Sequence, residues 1–146
     1  MIVRPAQEAD RPAWAAMRHL LWDDFDPAEL EAELAELERL ETPYVTLVAE
    51  AEDGLVGFAE VSVRSVAEGC PPGPAAYLEG IWVEPGHRRR GVARALLAAA
   101  ESWARDRGLA HLGSDALLDN EASHGWHRAA GFGEVVRLVA FNKPLG

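Results

Sequence analysis

Apolar and polar positions recur along this chain with two periods, and the switches between them mark its elements. Ile2-Val3-Arg4 reads as a short first strand ended by Pro5. From Asp10 to Trp22 the apolar residues Ala13, Trp14, Met17, Leu20 and Leu21 fall three and four apart, which predicts a helix. Asp26 as N-cap, Pro27 at the first position and Glu29 three residues after the cap start a second helix. Leu30, Leu34, Leu37 and Leu40 stripe one face of it, and glutamates occupy most of the rest. Two β runs follow, Tyr44 to Ala51 and Leu55 to Arg64, joined as a hairpin by Glu52-Asp53-Gly54. Gly69 to Pro74 is the strongest breaker and must be a loop. Ala75 to Val83 is a further strand, closed by Pro85-Gly86. A helix runs from about Gly91 to Arg107, with Val92, Leu96, Ala99 and Trp103 on one face and Gly108 as its stop. Leu109 to Asp115 is a strand, Asn120 to Ala130 a helix stopped by Gly131, and Phe132 to Lys143 a last extended segment.

The order β-α-α-β-β-β-α-β-α-β predicts a mixed α/β (α+β) layer structure with helices packed on one sheet. At 146 residues, and with breaks only at turns, the chain reads as one domain spanning 1–146. No apolar run approaches the roughly 20 residues of a membrane span. The start Met1-Ile2-Val3-Arg4-Pro5 lacks the build of a signal peptide, and the single cysteine, Cys70, suits a reducing compartment. A cytoplasmic protein is expected.

The formal net charge is −10, which makes nucleic acid and anionic membranes poor partners and favours a cationic one. Against that background Arg88-Arg89-Arg90-Gly91-Val92-Ala93 stands out. It lies between a strand and a helix start, where unpaired N–H groups and the positive dipole end bind phosphate readily. The glycine removes a Cβ where a backbone must approach a ligand, and the arginines add charge-assisted donors. A solvated arginine turn is the plainer alternative, but helix starts prefer acids. A Walker A loop would need Gly-Lys-Ser/Thr, which is absent.

Arg88-x-x-Gly91-x-Ala93 resembles the Arg/Gln-x-x-Gly-x-Gly/Ala signature of the GNAT N-acetyltransferase superfamily. Its context agrees: it follows a strand ending Val83-Glu84-Pro85, and Asn120…His127…Gly131-Phe132 is similar to the family's later Asn…Tyr…Gly-Phe block. The resemblance covers nearly the whole chain. It implies a central mixed, mostly antiparallel sheet whose two central parallel strands splay, with helices on both sides. It implies acetyl-CoA as cosubstrate and no metal. Backbone amides of Arg88, Arg89, Arg90, Gly91, Val92 and Ala93 would hold the pyrophosphate. The backbone of Ile81, Trp82 and Val83 would pair with the pantetheine like an added strand, and Asn120 would hydrogen-bond its arm.

Within the superfamily, Leu20-Leu21-Trp22, Gly69-Cys70, Leu78-Glu79-Gly80-Ile81 and Ser114-Asp115 look like the short aminoglycoside 6′-N-acetyltransferases, as does His127 in place of tyrosine. By that resemblance Trp22, Glu79 and Asp115 contact a cationic amine, with Trp22 offering a cation–π surface. Glu79 is the candidate general base through a water, a backbone N–H near Trp82–Val83 holds the oxyanion, and His127 orients or protonates the departing thiolate. Two positions depart from the pattern: Val66 and Val136 stand where those enzymes carry an aromatic residue and an acid. Glu134, two residues from Val136 on the same face of a strand, is the expected replacement for the acid. Each side chain has a plainer reading: a solvated strand face for Glu79, a turn cap for Asp115, core for Trp22, a satisfied helix position for His127. Glu121, His124 and His127 have metal-like spacing, but no further ligand is evident and no metal is expected. Other amines (a polyamine, amino acid or peptide) and a non-catalytic acyl-CoA-binding module are the alternative functions. A homodimer is expected, with the apolar end Leu138-Val139-Ala140-Phe141 covered by the second copy.

Overall fold

A computed structural model describes all residues, Met1–Gly146. The chain divides into two units, Met1–Ser114 and Asp115–Gly146. In the first, five strands make one sheet in sequence order: β1 (Ile2–Pro5), β2 (Tyr44–Ala51), β3 (Gly54–Arg64), β4 (Ala75–Val83) and β5 (Leu112–Ser114). The pairs from β1 through β4 are antiparallel, and β5 alone runs parallel to its neighbour. This is the mixed, mostly antiparallel sheet expected from the sequence. The parallel pair is short. It runs from Ala76 beside Leu112 to Leu78 beside Ser114, and β4 continues to Val83 paired with β3 only. Pairing between β4 and β5 therefore ends at Leu78.

Helices cover both faces because successive strand side chains alternate. Phe58 is fully buried in a cluster with Trp14 and Met17 of α1 (Arg11–Leu21), Leu30 and Leu34 of α2 (Leu30–Arg39), and Val48 of β2. Gly57, one position back, faces Val92 and Leu96 of α3 (Val92–Asp106) on the opposite side. Leu96 and Ala100 are fully buried there. The Asp26 side chain accepts from the Ala28 amide at 3.0 Å, so the predicted cap is made, although it caps a single 3-10 turn that leads into α2.

The β3–β4 ladder carries one irregularity. Glu60 pairs with Gly80 and Val61 with Leu78, which leaves Glu79 without a partner on β3. This is a β-bulge in β4, a local kink that re-aims side chains. Gly80 lies beside the indole of Trp22: a methyl there would stand 2.5 Å from Cζ2 and Cη2 of that ring. Glycine at 80 is what lets the end of α1 lie against the bulge.

Charged groups also enter the α1 face. Arg18 donates from Nε and Nη2 to Glu60 at 2.7 and 2.8 Å, and it also pairs with Glu33. Trp14 Nε1 donates to the same Glu60 carboxylate at 3.0 Å. Burial opposes the charge on Arg18, but its two carboxylate partners outweigh burial and raise its pKa. Removing one partner from such a pair costs about 3–5 kcal/mol, because the other charge is left buried and unpaired.

The second unit contains α4 (Glu121–Ala129). After it the sequence reading needs correction: residues 132–146 form no strand. A strand requires a hydrogen-bonded neighbour, and the apolar alternation here finds none. Leu138, Val139 and Phe141 are 50%, 67% and 93% exposed.

The first turns supply a pH test. Asp10 accepts from both terminal nitrogens of Arg4, at 2.7 and 3.0 Å, and from the Gln7 amide at 2.7 Å. The Arg4 hydrogen bond is the largest effect and, with a lesser one from the Gln7 amide, holds the Asp10 carboxyl below the ordinary carboxylate range against burial, which ranks second. A depressed folded pKa contributes stability above the unfolded value, near 3.9, and that contribution is lost as pH falls through the folded value. Asp10→Asn is therefore expected to cost about 1 kcal/mol at pH 7, where screening limits such a pair. Urea titrations at pH 7 and pH 3 should show the deficit at the first and its shrinkage at the second.

Candidate active site

The arginine turn follows the end of β4 and folds back on it. Arg88 donates from Nε to the Val83 carbonyl at 2.8 Å, and its guanidinium lies 5.9 Å from the Trp82 ring centre. Arg89 and Arg90 are exposed. Two residues of the turn adopt left-handed backbone, Arg89 with φ 61° and Gly91, the N-cap of α3, with φ 83°. A non-glycine in that region is strained, and such strain persists where a site requires it. Left-handed residues among right-handed ones turn successive amides toward a common concavity that receives anions. The first amides of α3, from Val92 and Ala93, have no acceptor within the helix. Nothing lies within 4 Å of where a Gly91 Cβ would sit, so a ligand can approach the backbone there. An elongated ligand with a pyrophosphate fits: its phosphates at this turn, and its arm along the stretch of β4 from Glu79 to Val83 that β5 leaves uncovered.

On the α1 side of the same strand the bulge presents Glu79. Its carboxylate borders a pocket of about 140 Å³ together with Glu60, Ser62, Tyr44 and Leu34. Arg64, at the end of β3, donates to it from Nε at 2.9 Å and from Nη2 to the second oxygen at 2.9 Å. The same guanidinium lies 3.5 Å over the Tyr77 ring. Trp22 stands beside this group. It meets the Arg18 guanidinium at 5.1 Å and the edge of Phe58 at 6.5 Å, as well as Gly80. The indole is thus both part of the core boundary and adjacent to the bulge. Val66 lies beyond β3 and is 69% exposed.

In the second unit Asn120 caps α4, its Oδ1 accepting from the Ser123 amide at 3.1 Å. The NH₂ end of the amide points the other way, as a donor. His127 Nδ1 lies 2.7 Å from the Ser123 carbonyl. A carbonyl only accepts, so Nδ1 carries a proton. The ring sits between Trp126 and Phe132, at 4.9 and 5.2 Å. Asp115 opens this unit. Glu134 is ion-paired with Arg137 and Arg128, which hold its carboxyl below the usual range, Arg137 contributing most. Because no strand forms here, the same-face argument that led from Val136 to Glu134 has no structural basis. Val136 itself is half-exposed.

Sequence reasoning missed Arg18, Glu60 and Arg64. A signal existed for the first: Arg18 lies four residues from both Trp14 and Trp22, on the apolar face of α1.

Known proteins resemble this chain in sequence and fold. The acetyltransferase (GNAT) family model matches residues 14–132. An aminoglycoside N(6′)-acetyltransferase type 1 from Klebsiella aerogenes is 46% identical over 99% of this chain and 97% of its own length. The crystal structure of the aminoglycoside 6′-N-acetyltransferase AAC(6′)-Ig from Acinetobacter haemolyticus superposes with a TM-score of 0.90 at 35% identity, covering all of both chains. That of AAC(6′)-Iy, in complex with the bisubstrate analogue CoA-S-monomethyl-acetylneamine, gives 0.85 at 32% identity, over 98% and 97% of the two chains. With the signature turn, the short parallel pair at the sheet edge and this agreement along its length, the chain belongs to the GNAT acetyltransferase family.

Proposed function

We propose that the protein is an acetyl-CoA-dependent N-acetyltransferase whose acceptor is the 6′-amine of an aminoglycoside. The observation that carries this reading is the juxtaposition on β4: the uncovered edge and arginine turn at its end, and the bulge bearing Glu79 beside Trp22. The near-full-length likeness to aminoglycoside N(6′)-acetyltransferases supports the choice of acceptor.

Acetyl-CoA supplies the activated acetyl group. The amides of Arg88 to Ala93 hold its pyrophosphate, the backbone of Ile81, Trp82 and Val83 aligns its arm, and the free NH₂ of Asn120 donates to that arm. Glu79 draws the ammonium of the acceptor and takes the proton that must leave before the nitrogen can attack, through a water. A backbone N–H near Trp82–Val83 meets the charge that develops on the carbonyl oxygen. His127, which stands where the family carries a tyrosine, is the candidate to orient or protonate the departing sulfur. Asp115 supplies a further carboxylate for the polycation, and Glu134 does so only by exchanging its arginines. Holding the amine in line supplies much of the acceleration.

We place the enzyme in the cytoplasm as a homodimer. A single chain leaves Leu138, Val139 and Phe141 in water, and a second copy is the economical cover for them.

The deciding assay is thiol release from acetyl-CoA with kanamycin and tobramycin, their analogues lacking the 6′-amine, polyamines, amino acids and basic peptides. Turnover that requires the 6′-amine, reduced about 100-fold or more in Glu79→Gln, is expected. Turnover of polyamines or peptides alone would discard the aminoglycoside acceptor. Sedimentation should give a dimer at micromolar concentration that Phe141→Asp shifts toward monomer, whereas a monomeric parent protein would end the dimer proposal.

A further inference from the structure

The Glu79 carboxylate already has a cation on it. Arg64 contacts both of its oxygens, and the planar guanidinium is seated on the Tyr77 ring. Arg64 is nonetheless open to solvent: its side chain is 45% exposed, against 26% for Glu79 and 13% for the structural Arg18. The two arginine–carboxylate pairs on this face of β3 thus differ in kind. Arg18 and Glu60 are both largely enclosed, and Trp14 and Glu33 complete their hydrogen bonding. Arg64 has Glu79 and one ring face as its partners. The second pair takes no part in the Trp22–Gly80 packing.

We infer that Arg64 is a specificity-determining residue, an internal counter-cation that holds Glu79 until an acceptor ammonium replaces it and that reclaims Glu79 once the nitrogen has become a neutral amide. The inference rests on the acceptor reading of Glu79 given above. A bidentate guanidinium and an ammonium compete for the same two oxygens. Exchange of one cation for another leaves Glu79 compensated throughout, so a charged acceptor pays only the difference between two similar pairs. A neutral group in the same place would leave a half-buried carboxylate without a partner, a loss that polar sites do not tolerate. Acetylation converts the bound cation into such a neutral group. Arg64, still tethered one strand away, then has no competitor and re-forms its pair with Glu79 whether or not the product has left. The residue lowers affinity for the charged acceptor, leaves that for the neutral product unchanged, and so keeps Glu79 compensated before and after the transfer.

The test is calorimetric titration of the full-length protein with kanamycin and with 6′-N-acetylkanamycin, comparing the parent with Arg64→Met. Arg105→Met serves as control, because it removes the same charge from an exposed i,i+4 pair on α3. Kanamycin is expected to bind Arg64→Met roughly threefold to fivefold more tightly, the factor that loss of one partly exposed competing pair allows. The acetylated product should bind both proteins alike, Arg64→Lys should restore the parent affinity, and Arg105→Met should change neither ligand. Equal or weaker kanamycin binding by Arg64→Met, binding by neither protein, or an equal gain for both ligands would overturn the inference. Thiol release by the parent protein separates the two levels. Turnover of kanamycin with no gain in Arg64→Met removes the role of Arg64 alone, whereas absence of 6′-amine-dependent turnover removes the acceptor reading beneath it.

Discussion

One extra residue in β4 organises the molecule. Without the bulge, Leu78 and Gly80 would lie on the same face of the sheet, because strand side chains alternate with period two. The unpaired Glu79 shifts that phase. Leu78 then pairs with Val61 on the α3 side, while Gly80 and Trp82 pair with Glu60 and Phe58 on the α1 side. Two consequences follow from a single insertion. A carboxylate is turned out of the ladder toward the pocket at α2, and β4 is bent where β5 stops accompanying it. The acceptor-side acid and the end of the β4–β5 pairing therefore lie at the same local irregularity.

The charge distribution follows the same division. The chain carries a net −10, yet its arginines are placed with care. Arg18 neutralises Glu60 and Glu33 inside the α1 face and packs against Trp22 and Phe25, so it is as much a packing residue as an ion. Arg88 ties the turn to β4, leaving Arg89 and Arg90 exposed for an anion. The acid near the bulge is matched within the fold, Glu60 by Arg18 and Glu79 by the more exposed Arg64. Exposed arginines at the turn suit an anionic cofactor, and the net negative charge of the chain favours a cationic acceptor.

The regular elements were legible because each carries its own local signal. The hairpin from Tyr44 to Arg64 and α3 with its glycine start match the sequence reading to within a residue or two. So does α4 behind Asn120. The parts that escaped depend on neighbours distant in sequence. Tyr77 to Val83 reads as one strand, and only Gly80 inside it hinted at a bulge. Arg18, Glu60 and Arg64 look like solvated charges on amphipathic elements until the fold sets them across from one another. The C-terminal run from Val135 to Phe141 has the composition of a strand, but composition does not supply the neighbour a strand needs. The site residues named from the family signature were legible as positions. What the sequence could not convey is that Glu79 arrives already paired, and that Glu134 is held by two arginines on a segment with no strand.

If the bulge and its Trp22 cover build the acceptor side of β4 and leave the cofactor side to the arginine turn, the two can be separated by one methyl group. Gly80→Ala places a Cβ 2.5 Å from the Trp22 ring and must displace it, while the turn at Arg88 to Ala93 is untouched. Steady-state kinetics of this variant with kanamycin, alongside calorimetric coenzyme A binding, is the most direct measurement. The account predicts coenzyme A affinity within about twofold of the parent and kcat/KM for the amine lowered by about tenfold or more, as an overpacked site costs 1–3 kcal/mol. An unchanged kcat/KM for the amine, or coenzyme A and amine weakened together, would contradict it.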